Sequence, residues 1–417
     1  GRTGFELLEE APAPLDEPLE DPTGDPIGDP VPDPVPDPVP DPVACSPCGD
    51  VVVARAERFN TQSGTYVEVP GGTLEFTPAR STDVWLVLVS AVLSSTYLDQ
   101  PETTPEVRLL LNGVEVGVGG INSNLAASRQ AWMIIHAVTG TTSLQRLSVE
   151  TRDDSPGGET TGIDDVRLIA FPLPDGSDFH GVEALQAQST TPDWTELATL
   201  SFTPSAPGDY VVLGMVSANE APAVGTIGVR IESDAGVWPV ADGAAAGDPR
   251  FDHFANARDQ CASFFWVRRL TNISAPQTVR LQGRGNNSTA SFAKLIAFRT
   301  DAFASVDLEQ DLDSSTTAST GLVPKSALTV SAPDERRSYV VVQTVGVRGS
   351  GSLDARSVLL QTDISQTAMN LVLDNEGHTV PFGAFDVVTT EASAIYENRF
   401  AAGDVTQPVS AKESVIL

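Results

Sequence analysis

Cysteine, histidine, aromatic and basic residues are all scarce in this chain, and each shortage removes a class of protein. Three cysteines in 417 residues cannot build a disulfide framework. The histidines, His136, His180, His253 and His378, are too far apart in sequence for any two to form a familiar metal-ligating pair. With 25 basic against 56 acidic residues the net charge is −31, which repels phosphate backbones and anionic lipid. Neither a nucleic-acid partner nor membrane insertion is therefore expected. The longest apolar run, Val84–Leu93, is about half of what a membrane span needs and reads as one buried strand. The opening Gly1-Arg2-Thr3-Gly4 has no basic stretch leading into an apolar core, so no secretory leader is expected in it. Aromatics make up 6% of the chain, while Val, Thr, Ser, Gly and Pro abound, the composition of an all-β protein with many turns.

The first fifty residues differ from the rest. They carry 13 acidic residues and one basic residue, Arg2. Asp-Pro recurs every four residues from Asp21-Pro22 to Asp41-Pro42. Proline fixes φ and removes amide donors, so neither helix nor sheet can form there. Polyproline II is the regular state left, and at about 3.1 Å per residue the 23 residues from Asp21 to Val43 would span roughly 70 Å. An irregular linker is the alternative. Ahead of this stalk, Phe5, Leu7 and Leu8 form a short apolar patch that fits either an anchor peptide or a frayed terminus.

Beyond Cys48 the chain repeats itself. Phe76-Thr77-Pro78 returns as Phe202-Thr203-Pro204, Ser90-Ala91 as Ser217-Ala218, and Leu168-Ile169-Ala170-Phe171 as Leu295-Ile296-Ala297-Phe298, at offsets of 126, 127 and 127. A fainter third copy aligns Tyr339-Val340-Val341-Val342 with Tyr210-Val211-Val212-Leu213 and closes on Ser414-Val415-Ile416-Leu417. Alternation of period two, broken by Gly, Pro and Asn, marks antiparallel strands. The expected fold is all-β: three tandem antiparallel sandwiches of jelly-roll type over 51–174, 175–301 and 302–417, the third divergent. They follow an anchor peptide at 1–20 and an extended Asp/Pro-rich stalk at 21–50. First and last strands of each unit are expected to pair centrally, and a strand apolar on both faces, Val84–Leu93, suits a central position or an interface between units.

No catalytic residue, metal site or cofactor is expected. Asp153-Asp154 and Asp164-Asp165 lack any calcium-loop pattern and read as solvated turn residues. His136, among apolar neighbours, reads as a satisfied structural residue. Cys45-Ser46-Pro47-Cys48 has redox-like spacing without a surrounding βαβ pattern, which leaves a local disulfide, a cross-link between chains, or free thiols. The segment 248–253 is a polar-aromatic loop peculiar to the second unit, and with Trp238 it supplies candidate binding residues: Trp238, Arg250, Phe251 and His253.

The shared Phe-Thr-Pro strand ends, the Val107-Arg108-Leu109 and Val229-Arg230-Ile231 strands, and the Leu-Ile-Ala-Phe closes resemble tandem β-sandwich repeats of bacteriophage virions, such as head or tail fibres and decoration proteins. The resemblance spans 51–417 and rests on packing residues, so it implies a fold and a structural role. On that reading the chain is a virion appendage, not an enzyme, with Phe5, Leu7 and Leu8 contacting other virion structural proteins. It would be a homo-oligomer, a trimer being the simplest form, displaying its sandwiches for host-surface attachment and a glycan as the conceivable ligand. A glycan-binding module or a secreted bacterial surface adhesin is the alternative.

Overall fold

Period-two patterning produces antiparallel strands throughout the computed structural model. It describes residues 51–417 apart from 96–104, 121–128, 154–160, 186–187, 221–224, 235, 239–250, 256–260, 287, 312, 314, 332–336, 350–353, 362–365, 374–378, 391 and 403–408. The anchor residues Phe5, Leu7 and Leu8, the stalk with Cys45 and Cys48, and Arg250 lie outside the described residues.

The first set of strands is β1 (Val52–Ala56, continued by β2, Phe59–Thr61), β3 (Val67–Phe76), β4 (Trp85–Ser95), β5 (Pro105–Leu111), β6 (Val114–Gly120), β7 (Arg129–Val138), β8 (Gln145–Asp153) and β9 (Thr161–Pro172). They pair as β1-β9-β4-β7 and β3-β8-β5-β6. By position in the set this is first-eighth-third-sixth over second-seventh-fourth-fifth, the jelly-roll order.

The order recurs twice. The second set is β10 (His180–Ala184, continued by β11, Gln188–Ser189), β12 (Thr195–Phe202), β13 (Gly208–Glu220), β14 (Gly225–Ser233), β15 (Gly236–Trp238) with β16 (Phe251–Ala255), β17 (Cys261–Ile273), β18 (Gln277–Asn286) and β19 (Ser288–Arg299). It pairs as β10-β19-β13-β17 and β12-β18-β14-β15, with β16 also on β14. The third is β20 (Glu309–Asp311, continued by β21, Ser315–Thr317), β22 (Val323–Val330), β23 (Arg337–Gly349), β24 (Asp354–Gln361), β25 (Gln366–Leu373), β26 (Thr379–Thr390), β27 (Ala394–Ala402) and β28 (Val409–Ile416). Its sheets are β20-β28-β23-β26 and β22-β27-β24-β25. In each set the last strand is interior as expected, whereas the first lies on the sheet edge.

Local chemistry sets the corners. β5 and β6 join through Asn112-Gly113, whose φ values of 52° and 80° make the two-residue hairpin turn that Asn-Gly favours. Each closing strand bulges at an equivalent place, between the partners Ser90 and Val92, Met215 and Ser217, and Gly346 and Val347. Asp165 and Phe292 take up the first two bulges with φ near 50°. Asp164 and Asp165 are thus strand residues of β9, not solvated turn residues, and Asp153 is also buried.

The sandwiches are not strung out. Along β13, Tyr210, Val212 and Val216 pack into the second sandwich, while Val211, Leu213 and Met215 enter a core shared with Leu86, Leu88, Val342, Phe385 and Val415. Both faces of the third strand in each set are therefore covered, one by its own partner sheet and one by other sets. This accounts for Val84–Leu93 being apolar on both sides, and the described residues from 51 onward belong to one compact unit.

Candidate functional site

The sets meet head to tail. The fifth strand of the first, β6, packs on the sixth strand of the second, β17; β16 packs on β26 of the third; and β25 of the third returns to β7 of the first. The sixth strands β7, β17 and β26 touch pairwise at the centre. Arg129 pairs with Asn370, so sheets of the first and third sets run together. A heterologous contact repeated with a rotation that closes makes a ring, and here one chain closes it by itself.

Side chains from all three sets hold its seams. Ser217 Oγ donates to Val118 O at 2.7 Å, and Ser90 Oγ, 127 residues earlier, accepts from Phe385 N at 3.1 Å. Met133 N donates to Ser263 Oγ at 3.1 Å. Phe265 and Phe385 meet edge to face at 5.1 Å. Arg167 and Lys294 precede Leu-Ile-Ala-Phe in the first two copies, and both are buried cations reaching into the neighbouring set. Arg167 Nη1 donates to Phe385 O at 3.1 Å and lies 3.3 Å from Asp386 Oδ2, while Arg55, opposite Arg167 in the sheet, reaches the other oxygen of Asp386 at 2.5 Å.

In the second copy the residue opposite the cation is Glu183. Lys294 Nζ donates to Val116 O at 2.7 Å and lies 3.1 Å from His136 Nδ1 and 3.8 Å from Glu183 Oε1; His136 Nδ1 is 2.8 Å from that carboxylate oxygen. One ring nitrogen cannot accept from the ammonium and donate to the carboxylate together, so the cluster has two proton arrangements. Burial pulls Lys294 from 10.5 down to about 8, opposed by Glu183. Burial also lowers His136, with the Lys294 charge adding and the Glu183 hydrogen bond opposing. Glu183 is raised by burial, but its bond to His136 and the charge of Lys294 outweigh this and leave it below its ordinary value. His136 is buried and has partners, both of which come from another repeat.

On the outer sheets an aromatic ring sits between two arginines in each of the first two copies. Arg108 and Arg152 lie 4.0 and 4.9 Å from the Tyr66 centroid, and Arg230 and Arg284 lie 4.1 and 4.9 Å from that of Trp194. In the first copy Glu150 and Glu106 pair with the arginines at 2.6 Å each, and Tyr66 Oη donates to Glu106 at 2.8 Å. In the second copy Gln282 accepts from Arg230 Nε at 2.8 Å, and Gly228 precedes Val229-Arg230 where Glu106 precedes Val107-Arg108. Sequence reasoning recognised the Val-Arg strands but missed these clamps, whose aromatic members sit 128 residues apart.

The other sequence-derived candidates are placed as follows. Trp238 ends β15 opposite Ile231, while Phe251 and His253 lie on β16 opposite Val229 and Ile227, three core residues of β14. Residues 251–255 are thus an edge strand where a loop was expected. His180 lies 3.3 Å from Asp178 and stacks on Phe202. Among the described residues no group of three or more His, Cys, Asp or Glu could hold a metal ion.

No protein-family model matches the chain, and no curated protein matches it. Solved structures resemble it loosely. The chain is similar to one reported in the atomic structure of Sulfolobus Turreted Icosahedral Virus, at 10% identity and a TM-score of 0.22, over 88% of this chain and 91% of that one. A chain described under the triple jelly roll fold and turret assembly of an archaeal virus gives the same identity and TM-score, over 88% and 89%. A Paenibacillus xanthan lyase matches at 15% identity and a TM-score of 0.16, over 64% of this chain and 27% of the lyase. Superpositions this loose leave function to the chain's own geometry.

Proposed function

We propose that this chain is a non-enzymatic structural component of a virus particle, an appendage whose three-jelly-roll body is carried on the N-terminal Asp-Pro segment. One observation carries the reading: the ring closes within a single chain. An open head-to-tail interface recruits further copies without limit, whereas a closed one consumes its own adhesive surface and yields a block of finite size. Such a block needs another element to attach it, and residues 1–20, with Phe5, Leu7 and Leu8, are the segment whose composition suits that task. Because threefold closure is already built into the chain, self-association into a trimer would run through residues 1–50. Strong acidity keeps the exposed body from adhering to nucleic acid or to its own kind.

The test is particle incorporation. Deleting residues 1–20 should leave the body folded and abolish its presence on particles; undiminished incorporation would sink the anchoring role. Imaging of labelled particles should find the body projecting from the surface, and its absence from particles would remove the virion reading altogether.

A second reading, host-glycan binding, draws on the Trp194 clamp, where Gln282 and Gly228 stand in place of two carboxylates. A glycan array run with Trp194→Ala, Trp238→Ala and Phe251→Ala chains separates the two. A purely structural appendage shows no saturable binding that these substitutions remove.

A further inference from the structure

A cavity of about 320 Å³ opens where the three sets converge. Its walls include Leu86, Leu213 and Val342, one from the third strand of each set, together with Phe171 and Phe298 from the closing strands. The repeat explains why the space exists. In copy one Leu86 faces Phe171 and in copy two Val211 faces Phe298, whereas in copy three Val342 faces Leu417, smaller than the phenylalanine of either sibling. The divergent copy therefore leaves unfilled the volume its two siblings would occupy.

The space is roughly twice the 150 Å³ apolar cavity known to stay dry and to admit benzene, and it falls within the size range of small-ligand sites. Its exposed lining residues, Ala304, Ser305 and Asp307, belong to the linker between the second and third sets and mark its mouth. Among the described residues one carboxylate and no Lys, Arg or His lines it. An anionic head group would be repelled by the exposed Asp307 carboxylate, with no cation among the described lining residues to offset it, whereas a cationic one would be attracted.

We infer that this junction is a binding site for an alkyl amphiphile with a cationic head, its chain inserted among Leu86, Leu213 and Val342 and its head beside Asp307. The proposal is independent of where the protein resides.

The experiment is calorimetric titration of the full chain with decyltrimethylammonium below its micelle concentration, with decanoate as the opposite-charge control. Saturable binding of one molecule per chain, at least tenfold tighter than decanoate, is the expected result. The double substitution Val342→Leu with Leu417→Phe restores the Leu86–Phe171 pair of the first copy; it should abolish binding and raise the melting temperature of the free protein. Methyl NMR of the wild-type chain, needing no variant, should show contacts from the ligand chain to Leu86 and Leu213. Absence of saturable binding, binding unchanged in a folded filled variant, equal affinity for decanoate, or ligand contacts elsewhere would each overturn the assignment.

Discussion

Arg167 of the first jelly roll and Asp386 of the third lie 3.3 Å apart with side chains 5% and 2% exposed, a buried ion pair joining residues 219 positions apart in the chain. Arg55 shares the same carboxylate from a half-exposed position, 46% accessible. A buried pair adds little to stability over a well-packed apolar pair, but removing one partner strands the other. Arg167 would keep Asp165 at 2.8 Å and the Phe385 carbonyl, so Asp386→Ala should cost less than a fully stranded charge, about 1.5–3 kcal/mol, read as a lower urea midpoint. Arg55→Ala should cost about 1 kcal/mol or less, since water already screens it. Equal effects would show that the seam does not depend on Arg167.

The Lys294 cluster predicts a pH dependence. An unfolded lysine keeps its proton to about pH 10.5, and the folded one releases it near 8, so between these values the unfolded state binds more protons and stability rises with pH. His136, lowered from 6.5, makes the fold lose stability as pH falls below that value. Glu183, lowered from 4.5, adds a further loss as pH falls below 4.5. Urea midpoints across pH should follow this course, and Lys294→Met should remove the alkaline rise while leaving Glu183 and His136 paired. A rise that persists in the variant would exclude Lys294 as its source.

Gly383 admits two sixth strands at close quarters. A Cβ there would fall 2.2 Å from Met133 Sδ in the neighbouring set and 2.8 Å from Gln343 O. Gly383→Val should destabilise by about 1–3 kcal/mol through overpacking. Adding Met133→Ala should recover part of this, and a double-mutant cycle measures the coupling. No recovery would place the strain at Gln343 alone.

The outer-sheet clamps should matter less to the fold. Trp194→Ala is expected to cost about 0.5–1 kcal/mol for the lost cation–π contacts, beyond its lost apolar burial. Tyr66→Phe should cost about 1 kcal/mol, because it removes only the hydroxyl bonded to Glu106. Thermal denaturation of both variants checks the ranking.

The repeat made much of the fold readable. Alternation exposed the strands, and Val84–Leu93, apolar on both faces, already hinted at an interface. Ser90 and Ser217 were visible as landmarks, but nothing in their neighbours distinguishes a packing serine from one that bonds across a seam. The cations left a better signal: Arg167 and Lys294 each stand directly before the apolar Leu-Ile-Ala-Phe of a closing strand, and a charge at one place in two copies of a buried strand demands a partner. Those partners could not be read, because Asp386, His136 and Glu183 belong to other strands and have no periodic relation to the cation. The segment at Phe251–His253 looked like a loop because its polar residues obscure the alternation; pairing with β14 makes it a strand.

By itself the sequence determined the strand content, the threefold repetition and the charge, since side-chain alternation and composition are local properties of the chain. Only the tertiary structure decided that three jelly rolls close into one ring, which cation meets which anion, and that Leu417, where the other copies carry Phe, leaves a cavity. Those outcomes depend on contacts between residues more than a hundred positions apart, and no local pattern encodes their geometry.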